Sequence, residues 1–492
     1  MLRGNGLFIN FDNSFHREMD GFYIEAPTPG FAKPSLIAFN DALSKRLGIA
    51  RGDVSDDELA QMFSSAKALP GANPLSQFYA GHQFGGFSPI LGDGRAVLLG
   101  ELLDTDGQRF DVQLKGVGMT PFSRPGSDGK AALGPVLREY LVSEAMHALG
   151  IPTSRALAAV KTGEDVYRDA KLSGAVLTRV ASSHIRVGTF QFFASQDRAD
   201  LVRKLADYAI DRHVPDLAGS EKPYLGLLDR VADAQAELIA KWVLVGFVHG
   251  VMNTDNVTIS GETIDYGPCA FVDRYQSDAV FSSIDEFGRY AYANQPNIGQ
   301  WNLHRLAESL LVILGENEQE QLSEAADIIR DFPGRYQQFW IKGMRTKLGL
   351  LQEEESDLDL ANDLFGILDK ANPDFTNFFR SLSGWLESGK NEFASNAEEM
   401  EEWGKRWLAR HDRESASKTT RIASMNATNP LYIPRNHKVE EMIEAAVAGD
   451  NFEPFHTLLD VVTKPFEEQV GREDFARPAP AGLRPYRTFC GT

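Results

Sequence analysis

Two cysteines in 492 residues, Cys269 and Cys490, are too few for a disulfide framework. The expectation that follows is a reduced, cytoplasmic protein. No run of 18 apolar residues occurs, so no membrane-spanning helix and no membrane partner are expected. Residues 1–15 carry one early Arg and no apolar h-region, which reads as neither a secretory signal nor a transit peptide. Positive charge is short: 50 Lys and Arg stand against 69 Asp and Glu, a net −19. That deficit argues against nucleic acid as the main partner, while leaving room for a local basic pocket that binds a nucleotide. Internal repeats, low-complexity tracts and Pro-rich linkers are also missing, so one compact, monomeric body is expected.

What is present is ordinary globular composition, 43% hydrophobic and 24% charged, in a chain longer than one core usually supports. The apolar spacing of Leu36, Phe39, Leu43 and Leu47 predicts a helix over 34–49. The turn-rich stretch 73–89 contains His82, read as structural. Strand signals begin at Ile90, where Asp93-Gly94 carries a type I′ hairpin signature and Arg95 follows directly. Residues 109–116 alternate as a strand that places Lys115 near its end. A Gly-rich segment, 119–134, holds Asp128 and Lys130, and its amides could cradle an anion. A helix over 135–150 follows, with Glu139 and Glu144 on its surface about 140° apart. Three strands are expected over 155–163, 164–169 and 174–182. Arg179 and Arg186 flank the crossing segment 182–193, and helices over 200–214, 229–248 and 301–315 lead into an acidic helical remainder.

The chemistry concentrates in VHGVMNTDNVTISGETIDYG, residues 248–267. Two short strands, 257–260 and 263–267, joined at Gly261-Glu262, would return Asp265 to the end where Asn256 and Asp255 stand. Asn and Asp oxygens converging beside a further Asp suit Mg²⁺, which takes few protein oxygens and several from phosphates. The spacing resembles the catalytic segment of the protein-kinase superfamily, with His249-Gly250, Asn256 and Asp265-Tyr266-Gly267 at matching positions. Val251 departs from it, standing where a proton-accepting Asp belongs, and Asp255 is the nearest replacement. A strand lysine followed by a helix glutamate is the order of a kinase small lobe, where such a pair positions phosphates.

More of the chain fits one family. GDGR (92–95), QLKGVGMTPFSR (113–124), SDG (127–129), REYLVSEAMHALGIPT (138–153), TRVASSHIRVGTF (178–190), GFVHGVMNTDN (246–256), DYGP (265–268) and NPLYIPRNH (429–437) together resemble the selenoprotein O family, called YdiU in bacteria. The resemblance implies an α+β, bilobal protein-kinase-like fold with N- and C-terminal extensions. Its expected divisions are an extension over 1–84, a small lobe over 85–185, a large lobe over 186–400 and a helical C-terminal part over 401–492. It implies transfer of AMP from ATP to Ser, Thr or Tyr hydroxyls of protein substrates, with ATP flipped relative to ordinary kinases. UMP transfer with Mn²⁺ is also associated with the family.

Carried over by position, the resemblance assigns Gly92, Gly94 and Arg95 to the phosphates, and Lys115 to a phosphate and to Glu139. Asp128 and Gly129 are assigned to the nucleotide pocket, and Arg179 and Arg186 to phosphates. Asp255 becomes the proton acceptor, and Asn256 and Asp265 the Mg²⁺ or Mn²⁺ ligands. Arg95, Lys115, Arg179 and Arg186 would then hold the pyrophosphate leaving group. A reactive thiol near the C-terminus, common in the family, suggests a redox function for Cys490 and a bridge to Cys269 under oxidation. Two alternatives stay open: a kinase-like phosphotransferase, since His249-Gly250 and Asn256 also look like aminoglycoside-kinase segments, and a nucleotide-binding pseudokinase without turnover.

Overall fold

A computed structural model describes residues 7, 9–168, 170–314, 318–390, 397–480, 482 and 486–488. The first part of the chain runs α1 (Ser14–Glu18), β1 (Tyr23–Glu25), β2 (Ser35–Phe39), α2 (Asp41–Arg46), α3 (Asp56–Phe63), β3 (Leu75–Gln77), β4 (Gly81–Gln83) and β5 (Gly86–Ser88). It continues with β6 (Ala96–Leu103), β7 (Arg109–Lys115), β8 (Ala131–Ala132), α4 (Leu133–Ala148), β9 (Arg155–Tyr167) and β10 (Lys171–Ala181). The main sheet is antiparallel in the order β1-β3-β6-β7-β10-β9-β2, with β8 added to β10. Strands from residues 1–84 thus form both ends of the sheet that carries Lys115 and Arg179.

Four expectations change here. Residues 34–49 are a strand and a short helix rather than one helix. Asn40 divides them, its Oδ1 accepting from the Leu43 amide at 3.0 Å as an N-cap, while Ser35–Phe39 pairs with β9. The three strands expected over 155–182 are two, because β9 continues through Gly163 at φ +72°. Asp93-Gly94 is not a hairpin turn: β5 pairs with β4, and Asp93 is buried with its carboxylate accepting from the Gln77 amide and from Gln113. The hairpin over 257–267 reduces to one bridge, Val257 to Thr263. Thr258 bridges Arg186 instead, and its hydroxyl bonds the Glu262 carbonyl and amide, replacing ladder bonds with side-chain ones.

Helix α4 is covered on two sides. Leu137, Tyr140 and Leu141 share a core with Ala159 and Leu177 of the sheet and with Met442, Phe455 and Leu458 from the C-terminal part. Each such side chain buried is worth about 1.5–3 kcal/mol. The solvated face expected for Glu139 and Glu144 is therefore absent, and both carboxylates are buried. Glu144 pairs with Arg155 and caps the Ala156 amide.

The second part is mostly helical: α5 (Val187–Ala194), α6 (Ala199–His213), α7 (Pro223–Val245), β11 (Phe247–Val248), β12 (Ala270–Phe271), α8 (Gln295–Leu311) and α9 (Glu318–Lys347). Helix α7 packs along α8 and α9 over Ile239, Trp242, Leu303, Leu306 and Phe332. Further helices from Asp357–Ala371 to Lys418–Thr428 add an aromatic core in which Trp403 stacks on Trp407. No described helix is long and apolar enough to cross a membrane.

Candidate functional site

The sheet and the helical part meet at a cleft of about 320 Å³. Its walls include Gly92, Gly94, Arg95, Lys115, Arg179, Arg186, Asp255, Asn256 and Asp265. A second cavity, about 390 Å³ between Tyr275, Tyr292, Pro333, Tyr336 and Trp340, has no charged side chain in its walls. Only the first can neutralise phosphates.

The 248–267 segment is held by its own polar groups. His249 is fully buried, and burial keeps its imidazole neutral. Nε2 bonds the Ile264 carbonyl at 2.9 Å and Nδ1 accepts from the Val251 amide, tying the two arms of the segment together. Gly250 sits at φ +80°, and a Cβ there would overlap the Pro268 carbonyl. Asp265 takes φ +59°, a conformation that costs a non-glycine residue on the order of 1 kcal/mol.

That cost is offset by the contacts its carboxylate makes. Lys115 Nζ donates to Asp265 Oδ1 at 2.7 Å and to Glu139 Oε2 at 2.6 Å. Arg179 Nη1 donates to the same Asp265 oxygen at 2.7 Å and to Glu139 Oε1 at 3.3 Å. Arg186 stands 3.9 Å from Asp265 Oδ2. Burial pushes the Asp265 carboxyl up, but Arg179, Lys115 and Arg186 together overcome it and hold it well below the ordinary range. Arg179 also donates to Gln113 at 2.7 Å, so this arginine is bonded within the protein on several sides.

Asp255 is in a different state. Burial pushes its carboxyl up to about 6, against hydrogen bonds from its own backbone and from Gln83 and the charge of Arg186. Its Oδ1 is buried without a hydrogen-bond partner, as are Asp93 Oδ1 and Arg186 Nε. The Arg186 guanidinium lies 4.4 Å from the Tyr79 ring centroid. Two carboxylates in one cleft, one held ionised and one near neutrality, divide into an electrostatic group and a proton acceptor.

Gly92 and Gly94 are spaced by the Phe122 side: a Cβ at Gly92 would overlap the Phe122 ring, and one at Gly94 would meet its carbonyl at 3.0 Å. Asp128 and Gly129 are not in the cleft wall, although Ser127 and Lys130 are. Asp128 is engaged by Arg168 at 3.0 and 3.1 Å. A Cβ on Gly129 would overlap Gly118, so this glycine allows two backbone segments to touch. Tyr79, Gln83, Phe122, Arg124 and Arg168 also line the cleft and escaped the sequence reading. Tyr79 and Gln83 lie in the aromatic- and glycine-rich run 73–89, and Phe122 and Arg124 in the family-like stretch 113–124; Arg168 carried no signal.

Asn256 and Asp265 fit a hard cation. Asn256 Nδ2 donates to the Val251 carbonyl at 3.1 Å, which leaves its oxygen as the ligating atom, and Asp265 is held anionic in the same cleft. No group of three or more His, Cys, Asp or Glu suited to a metal occurs among the described residues. A pair of protein oxygens completed by phosphate and water is the Mg²⁺ pattern. Cys269 is buried as a free thiol, and burial pushes it up to about 12. Cys490 lies outside the described residues.

The sequence model of the family described as protein adenylyltransferase SelO matches residues 6–463. A protein nucleotidyltransferase YdiU from Sphingopyxis alaskensis is 55% identical over 485 residues, covering 98% of this chain and 99% of the relative. The protein of the same name from Rhizobium rhizogenes is 53% identical, covering 98% and 97%. That from Cereibacter sphaeroides is 54% identical, covering 98% and 100%. With the family matched over nearly the whole length and such relatives over almost all of theirs, the chain belongs to the SelO family of protein adenylyltransferases.

Proposed function

We propose that this protein transfers AMP from ATP to hydroxyl side chains of proteins and releases pyrophosphate, with a kinase-like division of the chain into two lobes around the cleft. The observation that carries the proposal is the pairing, in one cleft, of a carboxylate held firmly ionised, Asp265 bonded by Lys115 and Arg179, with one that burial pushes up to about 6, Asp255, whose Oδ1 has no hydrogen-bond partner. Family membership supports nucleotidyl transfer over the kinase alternative, and the names of the relatives point to protein acceptors.

In this scheme Asp255 accepts the proton of the acceptor hydroxyl as its oxygen attacks the α-phosphorus and pyrophosphate departs. Its raised pKa suits it to take up a proton close to neutral pH. Arg95, Lys115 and Arg186 face the cleft and balance phosphate charge. Arg179 acts mainly by keeping Glu139 and Asp265 in place, since its buried guanidinium is bonded to Gln113 as well as to both carboxylates. Mg²⁺ or Mn²⁺ at Asn256 and Asp265 would supply charge neutralisation of the phosphate oxygens. UTP remains an alternative donor.

ATP labelled at the α- or the γ-phosphate tests the proposal. Retention of α-label on an acceptor protein is the expected outcome. Transfer of γ-label would assign a phosphotransferase, and nucleotide binding with neither label transferred would assign a pseudokinase.

A further inference from the structure

The cleft mouth is bordered by apolar side chains that the chemistry just described does not use. The β4–β5 hairpin and the turn at 284–290 meet there. Phe84 and Ile284 line the cleft together with Asp255. The Phe84 ring lies 5.2 Å from that of Tyr290, and a Cβ at Gly85 would come into ordinary contact with the Arg289 guanidinium. Exposure is high for side chains of this type: Phe84, Phe87, Ile90 and Ile284 are all exposed, and Phe287 is 96% exposed.

The hairpin is also fastened to the segment that holds Asp255. The His82 amide donates to Thr254 Oγ1 at 2.7 Å, and the Phe84 amide to Asn253 Oδ1 at 3.0 Å. Tyr290 donates to the same Asn253 oxygen at 2.5 Å, and Gln83 Nε2 to Asp255 Oδ2 at 3.4 Å. The apolar border and the proton acceptor are therefore one mechanical unit. A segment resting on the border would bring a neighbouring hydroxyl to Asp255.

Resting on the nucleotidyl-transfer function proposed above, we infer that the β4–β5 hairpin and the 284–290 turn form the docking surface for the acceptor protein, and that they take a segment with large aliphatic or aromatic side chains beside the modified hydroxyl. The patch is continuous with the cleft at Phe84 and Ile284, which line it together with Asp255. Exposed aromatic and aliphatic side chains on two segments that border a polar cleft suit a protein-recognition surface.

Two fluorescent 12-residue peptides test this, each with a single central Ser, one flanked by Leu and Phe and the other by Asn at the same positions. Binding is measured by anisotropy with the full-length wild-type protein, with Phe287→Ser, and with the Phe87→Ser/Phe287→Ser double variant. The expected result is at least tenfold tighter binding of the apolar peptide to wild type, with the preference lost in the double variant and reduced in Phe287→Ser. Equal binding of both peptides, or a preference unchanged in both variants, overturns the inference. So does concentration-dependent dimerisation abolished by Phe287→Ser, which would give the patch to a second copy of the chain. Incorporation of α-label into the same peptides is followed in parallel. A retained binding preference without label would sink the transfer proposal and leave the docking surface standing.

Discussion

Lys115 and Asp265, 150 positions apart in sequence, are joined by a 2.7 Å bond from Nζ to Oδ1. Through this bond the sheet is tied to the segment that carries Asp255 and Asn256, and Glu139 of α4 closes the arrangement at 2.6 Å. Lys115→Met keeps the aliphatic stem and removes the charge. Arg179 still bridges both carboxylates in that variant, so the fold persists. Label transfer falls at least a hundredfold, corresponding to loss of about 3 kcal/mol of charge stabilisation. Turnover within a few fold of wild type would show that Lys115 only braces the structure.

Asp265→Ala abolishes transfer and also destabilises the protein. The sequence assigns Asp265 to the metal; its ion pairs add a structural role. In the structure its removal leaves Lys115 and Arg179 paired with Glu139 alone and Arg186 with the more distant Asp93 and Asp255. Breaking a buried ionic arrangement of this kind costs about 3–5 kcal/mol. Denaturant unfolding of Asp265→Ala beside Asp265→Asn is the check, with the Asn variant the more stable of the two. An unfolding midpoint unchanged in Asp265→Ala would mean that these ion pairs carry no stability.

The proton acceptor makes transfer pH-dependent. With Asp255 pushed up to about 6, the fraction able to accept a proton falls as pH drops through that value, and kcat/KM loses about tenfold per pH unit below it. Stability runs the opposite way. The folded pKa lies above the roughly 3.9 of an unfolded Asp, so the folded state binds more protons in between and loses stability as pH rises from about 4 to about 6. Asp255→Asn removes this penalty, on the order of 2–3 kcal/mol. The variant should lose transfer, keep ATP binding and melt higher than wild type at pH 7. A melting temperature below wild type would contradict the burial account of Asp255.

Gly81 of the β4–β5 hairpin lies beside Asp255 with no room for a side chain. A Cβ at that position would overlap Asp255 Oδ1, so Gly81→Ala must move either the hairpin or the carboxylate. Such overpacking costs about 1–3 kcal/mol. The expected signature is a fall in kcat of tenfold or more with ATP affinity nearly unchanged. Lost ATP binding with normal kcat would place the hairpin on the nucleotide instead.

The Cys269 thiol, buried and pushed up to about 12, holds almost no thiolate at neutral pH. In the folded protein it should resist iodoacetamide and react only after unfolding, as peptide mass spectrometry would record. Rapid alkylation of native protein would show that the 268–272 segment opens readily.

Much of this architecture was legible in the chain because its signals were local. The alternation of 109–115 gave the strand ending at Lys115, and the apolar periodicity of 135–150 gave α4; the Lys115–Glu139 pairing itself came from the resemblance, not from the periodicity. Helix periodicity failed at 34–49, where a single capping residue, Asn40, and an open edge on β9 turned half of the segment into a strand. Asp93-Gly94 misled for a related reason: the dipeptide fits a tight turn, but tertiary contacts from Gln77, Gln113 and Arg186 draw Asp93 inside. Tyr79, Gln83 and Arg168 were out of reach because they enter the cleft from elements far apart in sequence and carry no spacing pattern. Arg179 was visible as a cation, but its bonds to Gln113, Glu139 and Asp265 were not, and these turn it toward bracing the site.

The most direct measurement is paired labelling of one acceptor protein with α-labelled and γ-labelled ATP, using wild type, Lys115→Met and Asp255→Asn. The account predicts stable α-label on wild-type reactions, stoichiometric pyrophosphate, no γ-label, and near-background signal for both variants. Transfer of γ-label, or α-label undiminished in Asp255→Asn, would contradict it.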